Sequence, residues 1–110
     1  MKNYLSLKNV IAAIVVVALF SACSNALIKA GDKAVDNLSY SQAVEKYEKA
    51  LKSQPDNIDL KMKLANAHRL QNNSVASEKY YQEVADSVGL PMEEQLHFAQ
   101  VLMKNNKYDE

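Results

Sequence analysis

A fixed interval of 34 residues constrains this chain more than any other feature of it. Gly31, Ala65 and Ala99 stand 34 apart, as do Tyr40, Ser74 and Tyr108, and so do Tyr47 and Tyr81. A period of about 20–50 residues marks an array of small structural units that bury their apolar faces only against one another. The units have to be helical. Two Gly, two Pro and no Trp, with abundant Ala, Leu, Lys, Glu and Gln, favour helix throughout and leave no case for a sheet. At 110 residues the chain holds no more than one small domain, and 13 basic against 13 acidic residues carry no electrostatic argument for nucleic acid.

The stretch 31–55, GDKAVDNLSYSQAVEKYEKALKSQP, carries the pattern most fully. Its Gly31, Tyr40, Ala43, Tyr47, Ala50 and Pro55 resemble the tetratricopeptide repeat, which has a small residue, an aromatic, Ala, an aromatic, Ala and Pro at those six positions. The resemblance implies an all-α, right-handed stack of helix hairpins, with complete units at 24–57 and 58–91 and an incomplete one at 92–110. In the first unit a helix over about 25–36 would carry Gly31 where its partner crosses too closely for a side chain. The partner, over about 41–52 with Ser41 as N-cap, would bury Ala43, Val44, Tyr47, Ala50 and Leu51 at helical spacing. Pro55 would stop it.

The second unit keeps Ala65 and Tyr81 but has Ser74, Ser77 and Val84 where the pattern wants an aromatic and two Ala. Its first helix, about 58–70, places Leu60, Leu64, Ala67 and Leu70 near a 3.6 period. Its second, about 75–86 after a Ser74 N-cap, would bury Val75, Tyr80, Tyr81 and Val84, before Gly89 and Pro91 break the chain. The third unit shows a helix over 92–105 with Leu96, Phe98, Ala99, Val101, Leu102 and Met103 apolar. Lys107-Tyr108-Asp109-Glu110 resembles the opening of the next helix. No polar cap is visible there, so the 110 residues are expected to belong to a longer protein or to dock their last helix on a partner.

The amino terminus reads as an address. Lys2 and Lys8 precede an apolar run of 11 residues over 10–20, well short of the roughly 20 that span a bilayer. Leu19, Ser21, Ala22 and Cys23 then resemble a bacterial lipobox, from which only Phe20 departs mildly. The resemblance implies that residues 1–22 are a signal peptide, that Cys23 is alkylated with diacylglycerol, and that it becomes the new amino terminus. As the lone cysteine it has no internal disulfide to form. Ser24, rather than Asp, implies passage to the outer membrane, and the lack of an acidic cluster at 25–27 implies its periplasmic face.

No catalytic motif is present, and neither cofactor nor metal is expected. His68 and His97 are 29 apart on different predicted helices, whereas metal sites need three or four clustered ligands. Alternating charges such as Glu45, Lys46, Glu48 and Lys49 read as a solvated helix face with i,i+4 pairs. In the family the repeat resembles, first-helix side chains line a concave groove. Carried over by position, they are Ile28, Asp32 and Val35, then Met62, Asn66 and Arg69, then Leu96, Gln100 and Met103. Ile28, Met62 and Leu96 would form an apolar stripe, unless Met62 and its neighbours pack between helices instead. Family members that grip a carboxylate terminus do so with other residues, of which Asn66 alone matches.

These residues predict a lipid-anchored, periplasmic protein-protein interaction scaffold of the outer membrane. Its partners would be other envelope proteins and, through the lipid, the membrane; nucleic acid and small-molecule substrates are not expected. Over 19–110 the chain resembles the amino-terminal part of long lipoproteins in which such repeats precede an OmpA-like peptidoglycan-binding domain, some of them in type IX secretion and gliding. The alternative is an accessory lipoprotein of outer-membrane protein or pilus assembly, binding client segments in its groove. A catalytic domain after Glu110 would make a third.

Overall fold

The computed structural model describes residues 2–108, and among them there are five helices and no strand. They are α1 (Lys2–Asp36), α2 (Tyr40–Ser53), α3 (Ile58–Leu70), α4 (Ser74–Ser87) and α5 (Met92–Tyr108). The main contacts run between helices adjacent in sequence: α1 with α2, α2 with α3, α3 with α4, and α4 with α5. The chain is thus a row of helix hairpins, all-α as its composition predicts, in which each element is held by its neighbours.

Two clusters form the core. Ala34, Ala43, Val44, Tyr47, Ala50, Leu60, Leu64 and Ala67 are buried between α1, α2 and α3, with Leu27, Ile28, Val35, Leu51 and Tyr80 packed around them. Ala65, Tyr81 and Val101 centre the second, with Met62, Tyr80, Leu90 and Phe98 around it. The small residues at the 34-residue interval explain why the hairpins close so tightly. A Cβ built on Gly31 would lie 2.6 Å from Cδ1 of Tyr47, well inside van der Waals contact, so only hydrogen fits under that ring. Ala65 is likewise buried in the cluster of Tyr81. Ser77, which stands where the pattern wants Ala, is buried because its hydroxyl donates to the Ala65 carbonyl at 2.7 Å, and a buried polar group needs such a partner.

The turns repeat too. Leu38 and Asn72, 34 residues apart, both have positive φ, 60° and 70°, and end α1 and α3 in the left-handed conformation that closes a helix. Asn adopts it readily; Leu does so at a cost. Gly89, at φ 79°, supplies the corresponding bend after α4.

The structure corrects several expected boundaries. Residues 2–36 form one continuous α1 rather than an apolar amino-terminal segment followed by a separate helix beginning near 25. Between Lys2 and Ala30 there is no Pro or Gly, so nothing in that stretch stops a helix. Ser39, not Ser41, is the residue before α2, and its side chain makes no capping bond. Asn73, not Ser74, caps α4 by accepting from the Ala76 amide at 3.3 Å. α5 continues to Tyr108 instead of ending at 105, so Lys107 and Tyr108 extend that helix rather than open another. Asp109 and Glu110 lie outside the described residues, as does the side chain of Tyr108. Val75, expected on a buried face, is 74% exposed. Leu70, at the end of α3, is exposed as well.

Candidate functional site

The positions read from the sequence as a groove divide between core and surface. Ile28 and Met62 turn inward and pack against the two clusters, while Leu96 and Met103 are 60% and 64% exposed. No continuous apolar stripe therefore joins them; the spacing places them on equivalent helices but leaves the rotation of each helix to packing. Five of the other positions gather around two clefts. Asp32, Val35 and Asn66, with Asp36, Tyr47 and Lys63, line one of about 270 Å³. Arg69 and Gln100 line a smaller one of about 90 Å³ with Asn72, Ser74, Val101 and Lys104. The two meet on α3, where Arg69 Nη2 donates to Asn66 Oδ1 at 2.5 Å.

The first cleft is built around Asp32. The Tyr47 hydroxyl donates to its Oδ1 at 2.5 Å and Lys63 Nζ donates to the same oxygen at 2.7 Å. Partial burial would raise the Asp32 pKa, yet the hydrogen bonds from Lys63 and Tyr47 outweigh it and hold the carboxyl below its ordinary value. Burial, reinforced by the Asp32 carboxylate, pushes the Tyr47 hydroxyl well above its ordinary range, so it stays a proton donor. The amino group of Lys63 also lies 5.9 Å from the centre of the Tyr47 ring. The arrangement locks α1, α2 and α3 together while leaving a carboxylate and an ammonium at the surface.

One interval later the parts recur in a different order. Tyr81 donates to Glu94 Oε2 at 3.0 Å, and His97, the residue 34 after Lys63, has Nδ1 3.4 Å from that oxygen. Burial and Glu94 push the Tyr81 hydroxyl up to about 12, partly offset by Arg69. The carboxylate comes from the following helix because the residue 34 after Asp32 is Asn66, which is engaged by Arg69. Nothing local in the sequence marks Lys63, Glu94 or the tyrosine hydroxyls. Comparing the units column by column would have exposed the Lys63 and His97 equivalence.

Ser24 takes a role beyond the sorting one expected of it. It is fully buried, and its Oγ accepts from Gln54 Nε2 at 2.6 Å. Gln54 Oε1 accepts from Asn57 Nδ2 at 2.7 Å, and Asn57 caps α3 through the Leu60 amide at 3.0 Å. The neighbouring Cys23 is exposed. Among the described residues no helix is long and apolar enough to cross a membrane.

His68 is a core residue. It is buried against Tyr80, ring centroids 5.8 Å apart and nearly parallel, with Nε2 3.7 Å from Glu48 Oε1 and no hydrogen bond to either ring nitrogen. Burial lowers its pKa, and Glu48 only partly opposes that. The folded chain thus holds His68 neutral, while in the unfolded chain it takes up a proton near pH 6.5. Stability contributed by the neutral ring is present above that pH and lost as the pH falls below it, by at most about 1.4 kcal/mol per pH unit. Urea titrations between pH 8 and 5 should show this loss, reduced in His68→Phe. Equal pH dependence in both proteins would exclude it. Among the described residues no three His, Cys, Asp or Glu side chains are grouped to hold a metal.

Comparison of the sequence with protein-family models and with curated proteins finds no match.

Proposed function

We propose that this chain is a tetratricopeptide-type interaction scaffold, anchored by lipid on Cys23 at the periplasmic face of a bacterial outer membrane. It offers the side bearing Asp32, Asn66, Arg69 and Gln100 to other envelope proteins. The observation that carries the reading is the joining of the two clefts through the Asn66–Arg69 hydrogen bond. Five positions from α1, α3 and α5 thereby line one side of the stack, as a partner laid across several units requires. The anchor rests on the order of charged, apolar and small residues before Cys23, and the exposed thiol is open to alkylation. Two or three acyl chains, at about 0.8 kcal/mol per buried methylene, give stable attachment. With Ser24 held by Gln54, the first hairpin would sit directly at the membrane.

Palmitate label should enter the wild-type chain in cells and be absent from Cys23→Ala; equal label in both removes the anchor. A photo-crosslinking residue at Asp36, in the larger cleft, or at Leu96, exposed one turn before Gln100 on α5, should trap envelope proteins that one at Val75, which lines neither cleft, does not. Identical products from all three sites would dispose of the groove.

A further inference from the structure

The smaller cleft differs from the others in charge. Lys63 in the Asp32 cleft is paired at 2.7 Å. The cleft between α2 and α4 sets Glu48 and Glu83 against Lys52, Lys61 and Lys79, with Lys61 and Glu83 3.2 Å apart. The cleft at the start of α5 is apolar with only the acids Asp59 and Glu94. The cleft of Arg69 and Lys104 has two cations and no acid in its lining, and among the described residues no carboxylate lies within 4 Å of either. Instead Lys104 donates to Asn72 and Arg69 to Asn66, neutral acceptors that orient the cations without cancelling their charge. Both side chains are partly buried, where a charge interacts more strongly than in open water. Asn72, Ser74 and Gln100 add neutral hydrogen-bonding groups around the cations.

We infer that this cleft, built by Arg69, Asn72, Ser74, Gln100 and Lys104, is a binding site for an acidic side chain of a polypeptide partner. At about 90 Å³ it has room for a carboxylate. The charge along the two joined clefts is then graded: Asp32 and Asp36 outnumber Lys63 in the larger, and the lining of the smaller carries cations alone. A bound segment would be set in one direction, its acidic part over Arg69 and Lys104. The inference rests on the groove reading and adds the chemistry and polarity of what fills it.

The test uses the full chain in a neutral detergent and fluorescein-labelled decaglutamate, with decaglutamine as control, followed by anisotropy. Decaglutamate should bind and decaglutamine should not. Arg69→Gln and Lys104→Gln should each weaken binding about tenfold, the scale of losing a charged hydrogen bond. Lys29→Gln, which removes the same charge from a site lining none of these clefts, should change it less than twofold. Equal losses in all three variants would mean general attraction to a cationic surface and would overturn the site. So would a requirement for Arg69 and Lys104 in sedimentation with phosphatidylglycerol vesicles but not in peptide binding. Crosslinks from Asp36 and Leu96 that survive the Arg69→Gln/Lys104→Gln pair unchanged would defeat this inference and leave the groove reading standing. Failure of those crosslinks in the wild type, with peptide affinity intact, would do the reverse.

Discussion

Gly31→Leu is expected to cost about 3 kcal/mol of stability and to lower the melting temperature by on the order of 15 °C. The first atom of any side chain at 31 would already lie 2.6 Å from Cδ1 and 3.0 Å from Cζ of the Tyr47 ring. That ring cannot retreat, because it is buried in the first cluster and its hydroxyl is held by Asp32. Leu would otherwise favour the helix over Gly by close to 1 kcal/mol, so a net loss isolates the collision. Ala30→Leu, one residue earlier on an exposed position of α1, should leave the melt unchanged. Combining Gly31→Leu with Tyr47→Ala should cost less than the sum of the two alone, since the new side chain occupies the space the ring leaves. Strict additivity, or similar melts for the two leucine variants, would refute the close crossing.

Met62→Glu should cost about 2–4 kcal/mol, and Met62→Lys distinctly less. Met62 packs against the cluster of Ala65, Tyr81 and Val101 and lines the cleft whose only charges are Asp59 and Glu94. A third carboxylate there is both desolvated and repelled, whereas an ammonium is desolvated but attracted. Denaturant midpoints at pH 7 measure the difference. A Met62→Glu protein with wild-type stability would put Met62 at the surface, and equal costs for Glu and Lys would show that the two acids exert no field on it.

The same residue shows how far the sequence can be read. The 34-residue interval is a covalent fact, and from it follow the helices, the place of α3 to the residue, and the small side chains under Tyr47 and Tyr81. These rest on spacing and side-chain volume, which are local. Whether Met62 faces a partner or the core depends on how far α3 is rotated about its axis. The neighbours decide it: Met62 packs against the cluster of Ala65, Tyr81 and Val101 and borders the cleft at the start of α5. Periodicity alone leaves such a rotation open by a residue or so, enough to turn Ile28 and Met62 against the two clusters while Leu96 stays outside.

Caps follow the same division. Ser41 and Ser74 were both plausible by residue type, yet the chain starts its helices after Ser39 and Asn73, because the closure of the preceding helix at Leu38 and Asn72 decides where the next begins. The continuity of α1 through Cys23 was hidden for the opposite reason: the expected cleavage and lipidation pattern concerns what modifying enzymes would recognise, and helix formation is indifferent to it. Lys63 drew no notice in one dimension because its partners, Tyr47 and Asp32, are 16 and 31 residues away. Packing α1, α2 and α3 side by side brings those groups within hydrogen-bonding distance, and the charge left at the surface of the Asp32 cleft follows from that packing.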